Sequence, residues 1–266
     1  MDVVKRHIDS LRGSLSVTSE QGKGACVALG ERECSMQRRH QKVIEESPSA
    51  APFFAGDEGE ARRQKLYQDA LAIVNAVGYV GAGTVEFVAS PEGELFFLEV
   101  NARLQVEHCV TEMVTRLDLV EQQLRVASGE ALAPEVVGAT RSGHSIEARI
   151  YAEDPAKKFA PQPGHLKTLV WPTIEGDLRV ETGFVEGQDV TPFYDPMLAK
   201  LVAFGATRDA AIARLDRALA ETRIELVGPV GPSQTNVGFL RKLIAAEGFR
   251  TAHYDTTFAE ALAKSP

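Results

Sequence analysis

From Phe96 the chain alternates: Phe96, Leu98, Val100, Ala102 and Leu104 are apolar, while Glu99, Asn101, Arg103, Gln105 and Glu107 between them are polar. A period of two sends the two sets to opposite faces of a strand. Upstream, Thr84 to Phe87 repeats the alternation, and Glu92-Gly93 supplies a tight turn. Paired about that turn, Glu86 falls directly opposite Glu99, with Val85 and Phe87 on the apolar side. Helical spacing appears elsewhere. Leu66, Ala70, Ile73, Val74 and Val77 mark one face of a helix over residues 60–77, stopped by Gly78 and preceded by an Ala/Pro/Gly-rich loop from Pro48 to Gly59. Asp118-Leu-Val-Glu121 reads as a capping box for a helix carrying Val120 and Leu124 and ending at Gly129. Thr207 caps a helix bearing Ile212, Leu215 and Leu219, and Phe239, Leu240, Leu243 and Ile244 form another. Near the start, Asp2 to Gly13 reads as a short helix closed by glycine, followed by strands at Ser14 to Thr18 and Gly24 to Leu29 around a Gly22-Lys-Gly24 turn.

A Pro- and Gly-bearing stretch from Ala131 to Gly143 separates this part from a second one. The second opens on His144 to Asp154, where Ile146, Ala148 and Ile150 take one face and Glu147, Arg149 and Tyr151 the other, and continues as a β-rich region to Val202. No internal repeat or low-complexity tract appears. With 266 residues and 44% hydrophobic content the chain can bury a sizeable core. A net charge of -8 argues against generic nucleic-acid binding. No apolar run approaches a membrane span. Cys26, Cys34 and Cys109 stand at no metal-ligand spacing, which suits a reducing cytoplasm.

Facing carboxylates repel, so Glu86 and Glu99 need a cation between them. A hard divalent ion meets that need: Mg²⁺ accepts carboxylate oxygens, keeps positions open for phosphate, and Asn101 on the same face could complete its shell. A plain solvated strand face is the alternative. Residues 31–46 gather Cys34, Gln37, Arg38, Arg39, His40 and Lys42 into a basic cluster, which taken alone reads as a solvated turn. Arg149, alone on its strand, reads as half of a structural ion pair.

The run Glu99-Val-Asn-Ala-Arg-Leu-Gln-Val-Glu107-His with Thr111-Glu-Met, the block Glu31-Arg-Glu-Cys-Ser-Met-Gln-Arg-Arg-His-Gln-Lys42-Val-Ile-Glu-Glu, and Tyr194-Asp-Pro-Met resemble, in order, motifs of biotin carboxylase, the ATP-grasp component of biotin-dependent carboxylases. From about residue 25 onward the chain resembles the C-terminal half of such an enzyme. That implies an α+β fold, with the C-terminal lobe of an ATP-grasp domain over residues 25–137 and a biotin carboxylase C-terminal β-rich subdomain over 138–266. Residues 1–24 resemble instead the tail of the ATPase domain of chemotaxis histidine kinases, foreign to the rest, and without that family's nucleotide-binding boxes.

In this family ATP and bicarbonate give carboxyphosphate, which delivers CO₂ to biotin on a carrier protein. The resemblance implies Glu86, Glu99 and Asn101 as ligands of Mg²⁺, with Mn²⁺ an acceptable substitute, and Glu107 as general base. It implies Lys42, Arg103, Gln105 and the Val106 amide as holders of bicarbonate, and Gln37 and His40 as lining for the nucleotide, His40 touching substrate as well. Arg149, with Arg103, would stabilise the biotin oxygen, and Cys34 would sit nearby without being a nucleophile. Cys109 stands where the family commonly has proline. The implied partners are a biotin carboxyl carrier and a carboxyltransferase, with a homodimer permitted. Carbamoyl-phosphate or amino-acid ligases of the ATP-grasp kind share the paired glutamates and Asn, but would not predict the basic block at 34–42. The glycine-rich phosphate loop and the ATP lysines would lie upstream of residue 31, so this chain by itself is not expected to be a competent carboxylase.

Overall fold

The computed structural model describes residues 11–19, 25–173 and 176–264, the first of these segments by its backbone alone. Eight strands build one antiparallel sheet: β1 (Leu11–Ser19), β2 (Cys26–Glu33), β3 (Ile44–Ser47), β4 (Gly81–Ala89), β5 (Leu95–Asn101), β6 (His144–Tyr151), β7 (Leu178–Thr182) and β8 (Met197–Gly205). Their order across the sheet is β7-β8-β6-β3-β2-β1-β4-β5. Strands from both sides of residue 138 therefore share one sheet, joined where β3 pairs with β6, Glu45 opposite Glu147. A four-stranded sheet lies apart, in the order Asp189–Val190, Gly164–Val170, Arg223–Gly228, Gly231–Ser233.

The N-terminal segment departs from expectation. Leu11 to Gly13 belong to β1 and not to the end of a helix, and β1 is hydrogen-bonded between β2 and β4. Neighbours far along the chain decide this, since β4 begins some sixty residues later. The rest of the expected helix and the Gly22-Lys-Gly24 turn lie outside the described residues.

The expected helices form. Helix α1 spans Gly56–Ala76, beginning earlier than the apolar spacing required, because a 3₁₀ turn at Pro52–Phe54 leads straight into it. It lays Leu66, Ala70 and Val74 on Val85 and Phe87 of β4, and Gly78 ends it at φ 59°. Helix α2 (His108–Thr115) packs Cys109, Val110 and Val114 against Val202 and Phe204 of β8. Helix α3 (Leu119–Ala127) is capped by Asp118, whose Oδ1 accepts from Glu121 N–H at 2.8 Å. Its buried face is Leu119, Gln122 and Val126, while Val120 and Leu124 are exposed. The cap was legible from sequence, but the buried stripe follows the hydrophobic patch of Leu29, Leu132 and Val136 that receives it. Helix α4 (Arg208–Glu221), capped by Thr207, and α5 (Val237–Ala245) cover the outer sheet with Ile212, Leu215, Leu240 and Leu243 on Ile146, Ile150 and Leu201.

The hairpin β4–β5 keeps the expected opposition of Glu86 and Glu99, and of Val85 and Val100, by a different route. The turn is longer than two residues, with Ser90 N–H donating to Glu94 O and Gly93 at φ 84°. An irregularity between Glu86 and Phe87 restores the register. On both sides of that bulge the side chains of β5, the edge strand, are exposed: Phe96, Phe97, Leu98 and Val100.

Candidate active site

Three segments converge at one end of the sheet: the short hairpin Gln37–Arg38/Gln41–Lys42 after β2, the turn 102–107 after β5, and β6. Glu107, at the N-cap of α2 and 2% exposed, is the centre. Its Oε1 lies 2.5 Å from Lys42 Nζ and its Oε2 accepts from Arg149 Nη2 at 3.0 Å. Burial pushes the Glu107 carboxyl up, yet Lys42, Arg32 and Arg149 outweigh it and hold it down to about 2. Lys42 also stands 3.6 Å from Glu86 Oε1. Burial draws the lysine down, but the Glu107 and Glu86 carboxylates beside it raise it on balance.

Glu86 is buried on β4. Its Oε1 accepts from Gln105 Nε2 at 2.8 Å and Asn101 Nδ2 at 3.1 Å, and Asn101 Nδ2 also reaches Glu99 Oε1 at 3.3 Å. Two carboxylates and an amide thus share one face, a donor set suited to a hard divalent cation. Asn101 bridges them through its NH₂, so a rotated amide would be needed to offer Oδ1 instead. Glu99 is exposed, which leaves one side of the pair open to a phosphate-bearing ligand.

Arg103 does not join Lys42 and Glu107. It is exposed, and its guanidinium donates to Leu104 O at 3.2 Å and Asn101 Oδ1 at 3.3 Å. Gln105 is buried and half-fixed by Arg32, whose Nη2 donates to its Oε1 at 2.9 Å, whereas Val106 is at the surface. Gln37 and His40 line a groove of about 500 Å³ together with Val88, Phe96, Leu98, Thr256 and Thr257. Residues 256 and 257 reach it from the far end of the chain. His40 sits exposed at a turn with φ 67°. Cys34 Sγ lies 3.9 Å from Glu107 Oε1, and burial pushes its thiol up to about 12, so it is held protonated beside the carboxylate.

Sequence reading passed over the layer beneath. Arg32, fully buried, ties Thr84, Gln105 and Thr111 together at 2.9 to 3.0 Å. Glu45 pairs with Arg149, and Lys200 on β8 reaches Val106 O at 2.5 Å. The alternation on β6 already set Glu147 and Arg149 on a common face. Nothing local to Glu45 or Lys200 announced that β3 and β8 would flank that face.

The chain matches two family models: the ATP binding domain of the carbamoyl-phosphate synthase L chain over residues 10–135, and the biotin carboxylase C-terminal domain over residues 147–261. It is 48% identical over 235 residues to the mitochondrial methylcrotonoyl-CoA carboxylase subunit alpha of Dictyostelium discoideum, covering 88% of this chain and 32% of that protein. Biotin carboxylase 2 of Bacillus subtilis is 46% identical over 235 residues, covering 88% of this chain and 50% of that protein. A solved structure of the biotin carboxylase domain dimer of Hydrogenobacter thermophilus 2-oxoglutarate carboxylase, in complex with MgADP, ADP and bicarbonate, superposes with a TM-score of 0.87 at 33% identity, covering 97% of this chain and 55% of that one. The chain thus spans about a third of the length of the first of these curated relatives and half of the second.

Proposed function

We propose, from the premise that the chain belongs to the biotin carboxylase family and corresponds to its C-terminal half, that it serves the ATP- and bicarbonate-dependent carboxylation of biotin on a carrier protein. Residues 25–137 would then be the C-terminal part of the ATP-grasp domain and 138–266 the biotin carboxylase C-terminal domain. One observation carries the reading: Glu107 is buried between Lys42 and Arg149, with Glu86 within 3.6 Å of the same lysine. A base, its cations and a metal-binding carboxylate thereby meet at one point.

Bicarbonate carries the proton to be removed and the charge to be held. Entering beside Lys42, Gln105 and the Val106 amide, it competes with Glu107 for the lysine. That competition raises the carboxylate from its low value toward one fit to accept a proton. Arg103, now turned toward Asn101, swings in from the exposed side to close the anion site. Arg149, a rigid fork fixed by Glu45 and Glu107, remains for the biotin oxygen. Glu86, Glu99 and Asn101 would hold Mg²⁺, or Mn²⁺, which supplies charge neutralisation on the nucleotide phosphates. Gln37 and His40 would meet the nucleotide in the groove of Val88, Phe96 and Thr257.

A carrier-borne biotin and a carboxyltransferase are the proposed partners, a homodimer the proposed assembly, and the cytoplasm, in keeping with Cys26, Cys34 and Cys109 forming no disulfide among the described residues, the proposed location. Another ATP-grasp ligase would share the carboxylates, but the match to the biotin carboxylase C-terminal domain, which begins at residue 147, includes Arg149. The deciding assay joins this chain to the N-terminal half of the Bacillus subtilis relative and follows bicarbonate-dependent ATP cleavage with free and with avidin-sequestered biotin. Cleavage that free biotin stimulates and avidin suppresses is expected, and cleavage indifferent to biotin would overturn the reading.

A further inference from the structure

Lys200 is 7% exposed and belongs to no part of the chemistry assigned above. It stands on β8 directly opposite Arg149 on β6. Its Nζ donates to Val106 O at 2.5 Å and to Cys109 Sγ at 3.0 Å, and lies 3.6 Å from Glu147 Oε2. Each contact reaches a different structural part: the turn 102–107, the first turn of α2, and β6.

We propose that Lys200 is a positioning residue, fixing from beneath the peptide between Val106 and Glu107 so that the turn presents the Val106 amide on one side and the Glu107 carboxylate to Lys42 and Arg149 on the other. The inference rests on the reading of the site as a bicarbonate site.

A buried ammonium needs hydrogen-bond acceptors wherever it lies. Lys200 has a poor anionic partner, because Glu147 and Glu45 stand directly opposite one another and are both fully buried. Glu45 is taken up by Arg149, and among the described residues neither oxygen of Glu147 makes a well-formed hydrogen bond. Burial and mutual repulsion push Glu147 well above the ordinary carboxylate range, which favours its neutral form. The lysine is therefore left to the Val106 carbonyl. A charge-assisted bond to a backbone carbonyl fixes the plane of that peptide, and with it the direction in which Glu107 leaves the chain. Neighbouring carbonyls are occupied in the same way, Gln105 O by His108 N–H at 3.2 Å and Leu104 O by Arg103 at 3.2 Å. Cys109, where proline would have had no polar atom to offer, adds the third contact, and Lys200 draws its thiol down against the larger upward push of burial.

The test uses the chain as it is. Bicarbonate binding is measured by ¹³C NMR of labelled bicarbonate, the Glu107 carboxyl is titrated by ¹³C NMR, and thermal melting reports folding. Lys200→Met should weaken bicarbonate binding about tenfold, as expected for the loss of one charged hydrogen bond. It should also move the Glu107 titration upward, with Lys200→Arg recovering part of both. A lysine that merely stabilises the fold would lower the melting temperature and leave both readouts of the folded protein unchanged, and that result would overturn the proposal. If Lys200→Met does not fold, Lys200→Gln, too short to reach Val106 O, decides by the same criteria. Should the unaltered chain bind no bicarbonate, the bicarbonate reading itself fails, while the Glu107 titration still decides whether Lys200 sets the turn.

Discussion

Glu33 and Glu46 stand opposite each other across β2 and β3, both buried, and titrate in opposite directions. Burial pushes Glu33 up to about 7 against the hydrogen bonds of Ser35 and Ser49. Glu46 is also pushed up by burial, but His144 and Arg208 more than reverse this and hold it down to about 2. Two facing carboxylates are tolerable here because Glu33 keeps its proton until the pH approaches about 7, while Glu46 is held ionised by its cations.

The two carboxyls predict a pH profile. Glu33 binds its proton more tightly folded than unfolded, so stability should fall as pH rises from about 4.5 to about 7, by up to about 3 kcal/mol. Glu33→Gln should flatten that interval in urea melts followed across pH. Glu46 behaves conversely, its contribution being present above about 4.5 and lost as pH falls toward 2. A Glu33→Gln profile that still declines from 4.5 to 7 would contradict the assignment.

Glu107 holds together two cations that would otherwise face each other. Its folded value of about 2 means that its contribution is complete above 4.5 and disappears as pH drops through 2. Glu107→Gln should cost about 3 kcal/mol at pH 7, since it leaves Lys42 and Arg149 without their shared counter-charge. It should also abolish bicarbonate-dependent ATP cleavage in the enzyme completed with an N-terminal half, because an amide accepts no proton. Calorimetric melting together with phosphate release checks both parts.

The two acids of the hairpin should separate stability from metal binding. Glu99 is exposed, so Glu99→Gln should change stability by less than about 0.5 kcal/mol. Glu86 is buried and accepts from two side chains, so Glu86→Ala should cost about 2 kcal/mol. Both should raise the Mn²⁺ concentration needed for nucleotide binding, as read by electron paramagnetic resonance. Equal Mn²⁺ affinity in Glu99→Gln and the unaltered protein would remove Glu99 from the metal site.

Arg149 touches Glu107, the proposed base, and is also the residue proposed to face biotin. Arg149→Ala in the completed enzyme should therefore depress carboxyl transfer to free biotin far more than it depresses bicarbonate-dependent ATP cleavage, where the loss of one of the cations on Glu107 is partly offset by a more basic carboxylate. Comparing the two rates in one preparation distinguishes this from a uniform loss through misfolding.

The sequence by itself determined whatever depends on near neighbours. Alternation along 96–107 put Glu99 and Asn101 on one face, side-chain caps at Asp118 and Thr207 started their helices, and the motif runs singled out Glu107, Lys42 and the acids Glu86 and Glu99 as candidates. Only the tertiary structure decided which strands lie side by side. Period two assigns a residue to a face but carries no information on the partner strand, so Glu45 against Glu147 and Lys200 against Arg149 could not be read from either segment. The same holds for β1 between β2 and β4, and for Thr256 and Thr257 beside His40. Those pairings join residues from about fifty to more than two hundred positions apart, or strands whose order is settled by burial of the whole sheet. The support beneath Glu107 is built of such pairings, because a buried charge needs partners on every side and the adjacent chain can supply only some of them.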